Sequence, residues 1–239
     1  MGKALQMKII LAIFTAVAWL SVSIFASEKK TANELLFIGI EKRSTAAVSE
    51  AVLSGADVNG ARDANGRSAL LAAVSAQSVD VFQHLLILGA DPNLPAGRDG
   101  NSVLGTLVHP NSDEYLQLYI KFGGEINTMI VDLLGEVRPY LSFAASRNRV
   151  DLCHIALGAG ADVRKLDARG RTALMNAVDR DRFRTAYQLL RWGAIVPEID
   201  LTPERVEEMI RKADAEKVYE PYWTVAFIGE LKRQVKAPK

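Results

Sequence analysis

Two near-copies decide the fold of this chain: “RSALLAAV” at residues 67–74 and “RTALMNAV” at residues 171–178. Five of the eight positions are identical, and a sixth exchanges serine for threonine. A match of this length between such distant segments indicates an internal repeat. Repeats are tested before any single motif because they fix the architecture of the whole chain.

A fixed distance between leucine and glycine extends the repeat to five units. In each unit a leucine at position i is followed by a glycine at position i+19. The pairs are Leu36 and Gly55, Leu70 and Gly89, Leu104 and Gly123, Leu141 and Gly160, and Leu174 and Gly193. The steps between successive glycines are nearly equal, except that the step from Gly123 to Gly160 is longer. The length within a unit is therefore constant, and the variation falls between units.

Each unit has the pattern of two short amphipathic helices. In the second unit Leu70, Ala73 and Val74 are three and four positions apart, which puts them on one helical face. A second such face follows at residues 81–86. Gly89 ends that helix because glycine accepts the left-handed conformation of a C-terminal cap. Two short helices cannot bury both faces alone, so we predict an all-α solenoid in which neighbouring units stack.

These motifs resemble the ankyrin-repeat family. The family has a turn with Asp and Gly, a helix start like “TPLHxAA”, a second helix ending in paired leucines, and “GADVN”. This chain has “DANGRSALLAAV”, “HLLILGADPN”, “SGADVN” and “DARGRTALMNAV”. The resemblance covers residues 31–194 and implies an ankyrin-repeat solenoid of about five helix-turn-helix units. The proline of the helix start is replaced by Ala69, Val103, Tyr140 and Ala173, which bears on stacking rather than on activity.

Two places depart from the regular repeat. The longer step before Gly160 puts an insertion at residues 129–139, which we predict to be an exposed loop because insertions in solenoids fall on loops. Pro110 interrupts the helical pattern of the third unit, so we predict that this unit is irregular.

The repeat pattern stops after residue 194, and residues 195–239 predict a C-terminal helical cap. One helix is predicted to begin at an N-cap of Thr202, with Pro203 in its first turn. A second helix carries Trp223, Phe227 and Leu231 on one side. The two helices can cover the open end of the stack, which solenoids need for solubility. A docking element for a partner is the alternative.

Residues 1–26 predict a secretory signal peptide. Lys3 and Lys8 precede an uncharged run that ends in small residues, so we expect cleavage after Ser23 or Ala26. An uncleaved membrane anchor is the alternative, since the run is long enough to cross a bilayer. The single cysteine, Cys153, excludes an internal disulfide. We therefore expect a periplasmic protein, or one anchored in the membrane and facing the periplasm.

No motif of catalysis or cofactor binding occurs in the sequence. There is no GxSxG, P-loop or dinucleotide glycine fingerprint, and the three histidines lack the neighbours of a zinc site. Cys153 fills an apolar helix position, which predicts a core thiol. The net charge of +1 offers no field for steering nucleic acid. We predict no catalysis, cofactor, metal or nucleic acid; an active site in the insertion and C-terminal helices is the alternative.

With those sites excluded, the sequence predicts a surface that binds a protein partner. The family resemblance implies that the turn tips contact the partner, and the insertion adds to them. Arginine suits such contacts because its planar fork makes paired hydrogen bonds to carboxylates. The predicted contact residues are Arg62, Asn65, Arg67, Arg98, Asn101, Asp132, Glu136, Arg138, Tyr140, Arg169 and Arg171. Solvated turns that only keep the chain soluble are the alternative.

The sequence thus predicts an exported, non-catalytic binding module that is monomeric when free. Two roles compete. One is a stoichiometric inhibitor, such as an immunity protein that neutralises an enzyme of the same compartment. The other is a scaffold or protective adaptor of the cell envelope, tethered if the leader is retained. A small exported binder with an insertion of its own favours the inhibitor.

Overall fold

The computed structural model describes residues 30–97, 101–131, 135–194 and 221–236, and five helical residues between 204 and 211. The predicted signal peptide, most of the helix predicted after Thr202, and the predicted contact residues Arg98 and Asp132 lie outside the described residues. Among the described residues, no helix is both long and apolar enough to cross a membrane.

The described chain forms five pairs of helices, a two-stranded hairpin and a long C-terminal helix, which confirms the all-α solenoid. Units 1 to 5 contain α1 (Ala32–Glu41) and α2 (Thr45–Leu53); α3 (Ala69–Ser75) and α4 (Val79–Ile87); α5 (Val103–Thr106) and α6 (Asp113–Lys121); α7 (Tyr140–Ser146) and α8 (Val150–Gly158); α9 (Ala173–Val178) and α10 (Phe183–Arg191). Strands β1 (Met129–Val131) and β2 (Val137–Pro139) precede α7, and α11 spans Pro221–Lys236.

The leucine and glycine of each unit have the roles that their spacing predicts. All five leucines are at most 3% exposed and belong to one continuous core. All five glycines have φ between 83° and 97°, and each follows the second helix of its unit. First helices pack on first helices and second helices on second helices, so each unit completes the core of the next.

A row of asparagine side chains joins the first four units. Asn59 donates from Nδ2 to the carbonyl oxygen of Gly89 at 3.0 Å and accepts from the backbone N–H of Asp91 at 2.8 Å. Asn93 and Asn127 make the same pair of bonds to the units that follow them. Arg164 stands at the equivalent position of unit 4, so this pattern ends before unit 5.

The described residues of the insertion form a hairpin with a buried central pair and not an exposed loop, which corrects the prediction. β1 and β2 pair antiparallel, with Ile130 opposite Arg138. Both of these side chains are 1% exposed. β1 packs on α5 and β2 on α7, so the hairpin fills the junction between units 3 and 4. Space for the hairpin is available there because α5 has only four residues. This short helix confirms the prediction that the third unit is irregular.

The helix α11 packs against α10. Thr224, Phe227 and Leu231 are fully buried on one side of α11. The ring of Phe227 lies 5.5 Å from that of Phe183 in α10. The predicted apolar side of this helix therefore faces the last unit.

Candidate functional site

Turn tips precede the first helices of units 2 and 5, and each is held by one aspartate. Asp63 Oδ1 accepts hydrogen bonds from the backbone N–H groups of Asn65 and Arg67, and Oδ2 pairs with the Arg67 guanidinium at 2.6 Å. Burial raises the pKa of Asp63, but these bonds more than offset it, so the pKa lies below the usual value. The tip is thus a rigid turn that does not depend on a partner.

The tip of unit 5 repeats this arrangement with more contacts. Asp167 is 8% exposed and accepts from the backbone N–H groups of Arg169 and Arg171 at 2.9 Å each. The Arg171 guanidinium and the Asn176 amide also bind it. Burial raises the pKa of Asp167, yet the bonds from Asn176 and the two arginines hold it below its usual value.

The predicted contact residues fall into three groups. Arg67 and Arg171 hold the aspartates of their own turns, and a third arginine, Arg62, binds the carbonyl oxygens of residues 59, 61 and 95. These three therefore have structural bonds whether or not they also meet a partner. Asn65 and Arg169 are exposed, and Asn101 and Glu136 are half-buried. No observation tests a partner contact at these positions, which remain predictions.

Arg138 and Tyr140 are buried, so the prediction that they form part of an exposed loop is wrong. Arg138 pairs with Glu136 and lies 5.5 Å from the ring of Phe143. The hydroxyl of Tyr140 donates to the carbonyl oxygen of Leu107 in unit 3 at 2.5 Å. Both side chains anchor the hairpin between units, because a buried charge or hydroxyl needs a partner inside the protein.

The hairpin also contacts the tip of unit 5. Glu136 pairs with the exposed guanidinium of Arg169 in addition to Arg138. The backbone N–H of Ala168 donates to the carbonyl oxygen of Val137 at 3.2 Å. Glu136, Arg169 and the tip of unit 5 therefore form one surface, which the sequence did not show because the partners lie in different units of the chain.

Sequence reasoning missed a bridge made by Arg149 between units 3 and 4. Its guanidinium binds Asp113 at 2.9 Å and Asp151 at 2.7 Å, and it also donates to the carbonyl oxygen of His109. Burial and the neighbouring Asp151 raise the pKa of Asp113. The signal in the sequence was a change of residue type: the helix start occupied by Ser44 and Ser78 in units 1 and 2 is occupied here by arginine.

A groove of about 560 Å³ opens between units 2 and 3. It is lined by apolar residues of α3, such as Leu71 and Val74, and by the segment from Thr106 to Ser112 where α5 stops short. Glu114 at the start of α6 adds a carboxylate. This groove has a mixed polar and apolar lining.

The described residues have little that resembles an active site. Cys153 is buried, and burial raises the pKa of its thiol far above the usual value, so it has the environment of a core thiol. His84 hydrogen-bonds Ser49 across two units at 2.6 Å, and His154 packs edge-on against Trp192. Within the part of the chain that the structure describes, no three His, Cys, Asp or Glu side chains are placed to hold a metal.

Comparison with known proteins identifies the repeat. The sequence profile of the ankyrin repeat matches residues 65–96, and a profile for ankyrin repeats in many copies matches residues 141–192. The chain is also similar to Protein PhlB of Serratia liquefaciens, with 30% identity over 192 residues, covering 76% of this chain and 82% of PhlB. The chain belongs to the ankyrin-repeat family. Ankyrin repeats are in general non-catalytic modules that bind proteins, and its repeats make this chain a protein-binding module.

Proposed function

We propose that this ankyrin-repeat protein is exported and holds one partner protein against its turn tips and hairpin, acting as a stoichiometric inhibitor or immunity protein of a periplasmic enzyme. The observation that carries the proposal is that hydrogen bonds within the protein hold the tips in place without a partner. Asp63 and Asp167 fix two tips, and the asparagine row fixes the spacing of units 1 to 4. A preorganised surface loses little conformational entropy on binding, which favours the tight complex that an inhibitor needs.

The alternative role, a scaffold of the cell envelope, requires many partners or a membrane tether. The hairpin is a feature of one unit only within the described chain, and it joins the tip of unit 5 through Glu136 and Arg169. A surface that occurs in only one place on the solenoid is suited to one partner. A scaffold, in contrast, can bind several partners through the equivalent tips of different units. This asymmetry favours the inhibitor.

Affinity capture from envelope extract tests the proposal. The mature protein is tagged, and co-purifying proteins are identified by mass spectrometry. We expect one near-stoichiometric enzyme whose activity falls when the purified protein is added. Recovery of many envelope proteins, or of none, would contradict the inhibitor role.

Two pairs of variants locate the contact. Asn65→Lys with Arg169→Glu changes two exposed tip residues, and we expect it to abolish capture. Gln117→Lys with Arg191→Glu makes the same change of net charge at two exposed residues of second helices and is the matched control. Equal loss in both pairs would show that the tips do not form the binding surface.

Export is tested by the mass and N-terminal sequence of the protein recovered from cells. We expect the mature chain to begin after Ser23 or Ala26. A chain that retains residues 1–26 and sediments with membranes would favour the tethered adaptor.

A further inference from the structure

The starts of the second helices change character along the solenoid. In units 1 and 2 the helix begins at a serine whose hydroxyl accepts from a backbone N–H: Ser44 from Ala47 at 3.2 Å, and Ser78 from Val81 at 3.4 Å. In units 4 and 5 the same position holds Arg149 and Arg182, which make no such bond to the helix. Replacing a capping serine with a residue that cannot cap the helix is destabilising.

The second helix of unit 5, α10, has the least favourable distribution of charge at its N-terminus. Arg182 is the N-cap of α10 and Arg184 lies in its first turn, where there is no acidic residue. Cations at a helix N-terminus are unfavourable because the helix dipole is positive there. A residue that is unfavourable for local helix stability, without a structural gain elsewhere, is expected mainly at functional sites.

Arg149 and Arg182 differ in what their side chains do. Arg149 bridges Asp113 and Asp151, so it has a structural role. Arg182 and its neighbour Arg180 are exposed, and the side chain of neither is among the ion pairs and hydrogen bonds of the described residues. Their guanidinium groups are available to a partner.

Two further arginines lie beside these turns and are held over aromatic rings. Arg147 is stacked 5.4 Å from the ring centre of Phe143, and Arg184 is 5.4 Å from that of Trp223. Arg147 and Arg180 follow the repeat leucines of units 4 and 5 by the same interval, so they occupy equivalent positions in adjacent units. We call Arg147, Arg180, Arg182 and Arg184 the arginine corner. It lies at the turn between first and second helices, at the opposite end of the helices from the tips.

Charge is divided unequally between the two parts of the solenoid. Residues 31–97 and 101–131, in units 1 to 3, contain ten acidic and five basic residues. Residues 135–194, the hairpin with units 4 and 5, contain six acidic and eleven basic residues. A chain of net charge +1 thus has an acidic excess in units 1 to 3 and a basic excess in residues 135–194, to which the arginine corner contributes four of the eleven basic residues. Such a field orients an approaching partner.

We propose that the arginine corner binds a carboxylate-rich surface of the partner protein, which rests on the proposed protein-binding function. Arginine forks match carboxylates in paired hydrogen bonds. Asp179 and Asp181 stand between the arginines in the sequence, and such interleaved negative charge opposes a continuous phosphate surface such as a membrane or nucleic acid. Separate carboxylates on a folded protein can each pair with one arginine.

The test uses a poly-L-glutamate peptide as the carboxylate probe, labelled and titrated by fluorescence anisotropy with the full mature protein. We expect Arg180→Glu with Arg182→Glu to weaken binding about tenfold or more. Arg164→Glu with Arg191→Glu is the matched control, since it makes the same change of net charge at exposed sites outside the corner. We expect the control to weaken binding by no more than about threefold. Urea unfolding verifies that both variants are folded.

The indole N–H signals of two tryptophans report where the probe binds. Trp223 lies under Arg184, and Trp192 follows the opposite end of α10. Addition of the peptide is expected to shift the Trp223 signal and leave Trp192 unchanged. Equal weakening by both double variants, or a shift of Trp192 alone, would overturn the proposal.

Two further outcomes separate this inference from its alternatives. Binding to phosphatidylglycerol vesicles without binding to poly-L-glutamate would replace the protein partner with a membrane and overturn the proposal. Capture of a single enzyme that is unaffected by Arg180→Glu with Arg182→Glu would overturn the arginine corner while the proposed inhibitor function stands. Loss of that capture by the same variant, with the control intact, would support both.

Discussion

The turn after each first helix contains a residue that is in the left-handed conformation without being glycine. These five residues are Arg43, Gln77, Asn111, Asn148 and Asp181, with φ between 53° and 67°. Each precedes the repeat glycine of its unit by the same interval. Asparagine and aspartate tolerate this conformation, but arginine and glutamine have no side-chain compensation. Strain is therefore concentrated in units 1 and 2.

Gln77→Gly is expected to stabilise the protein. Relief of the left-handed strain is worth about 1–2 kcal/mol, and the added freedom of the unfolded chain takes back about 0.5–1 kcal/mol, so the free energy of unfolding rises by about 0.5 kcal/mol. Urea unfolding measures the change. Ala76→Gly is the control, because Ala76 has φ −73° and gains nothing from glycine. A stabilised control, or a destabilised Gln77→Gly, would refute the argument.

Asp167 makes stability depend on pH. Asp167→Asn loses charge-assisted bonds to Arg171 and Asn176, and we expect a loss of about 2 kcal/mol at pH 7. Because the folded-state pKa is lowered, the contribution of Asp167 is present above the unfolded pKa of about 3.9 and disappears as pH falls through the folded pKa. Urea unfolding at several pH values should show that the difference in stability between the two proteins begins to shrink below about pH 4 and vanishes below the folded-state pKa. A constant difference down to pH 2 would exclude this role.

At the scale of elements, the sequence predicted the helices of the repeat units but not the hairpin that interrupts the repeat. The spacing of Leu36 from Gly55, and of its four equivalents, predicted a buried helix and a left-handed cap in every unit, because both depend on local periodicity. The hairpin was missed because each strand has only three residues and its burial comes from α5 and α7. The sequence predicts Arg138 at the surface because insertions in solenoids fall on exposed loops, yet Arg138 is buried and Glu136 compensates its charge.

The two arginines that share Glu136 should differ in their effect on stability. Arg138 is 1% exposed, and Arg138→Ala leaves Glu136 without its buried partner, so we expect a loss of about 3–5 kcal/mol. Arg169 has a side chain that is 62% exposed, and Arg169→Ala should cost less than about 1 kcal/mol. Thermal and urea unfolding of both variants measure this. Similar losses would mean that the hairpin does not depend on the buried pair.

At the scale of the whole molecule, a repeat stack must close its ends because each unit covers only its neighbours. The apolar core runs without interruption from Leu36 in α1 to Leu231 in α11. The helix α11 therefore extends the core past the last unit. A cap and a docking element differ in how far the stability of unit 5 depends on α11.

Phe227→Ala is expected to lower the free energy of unfolding by about 3–5 kcal/mol if α11 is a cap. Phe227 is fully buried against Phe183, so its removal opens a cavity at the end of the core. Tyr222→Ala, at a side chain 71% exposed on the same helix, is the control and should change stability by less than about 0.5 kcal/mol. Urea unfolding compares the two, and hydrogen exchange in α10 shows whether the loss is local. If Phe227→Ala kept full stability but lost capture of the partner, α11 would be a docking element, since a helix that only docks can be altered without loosening unit 5.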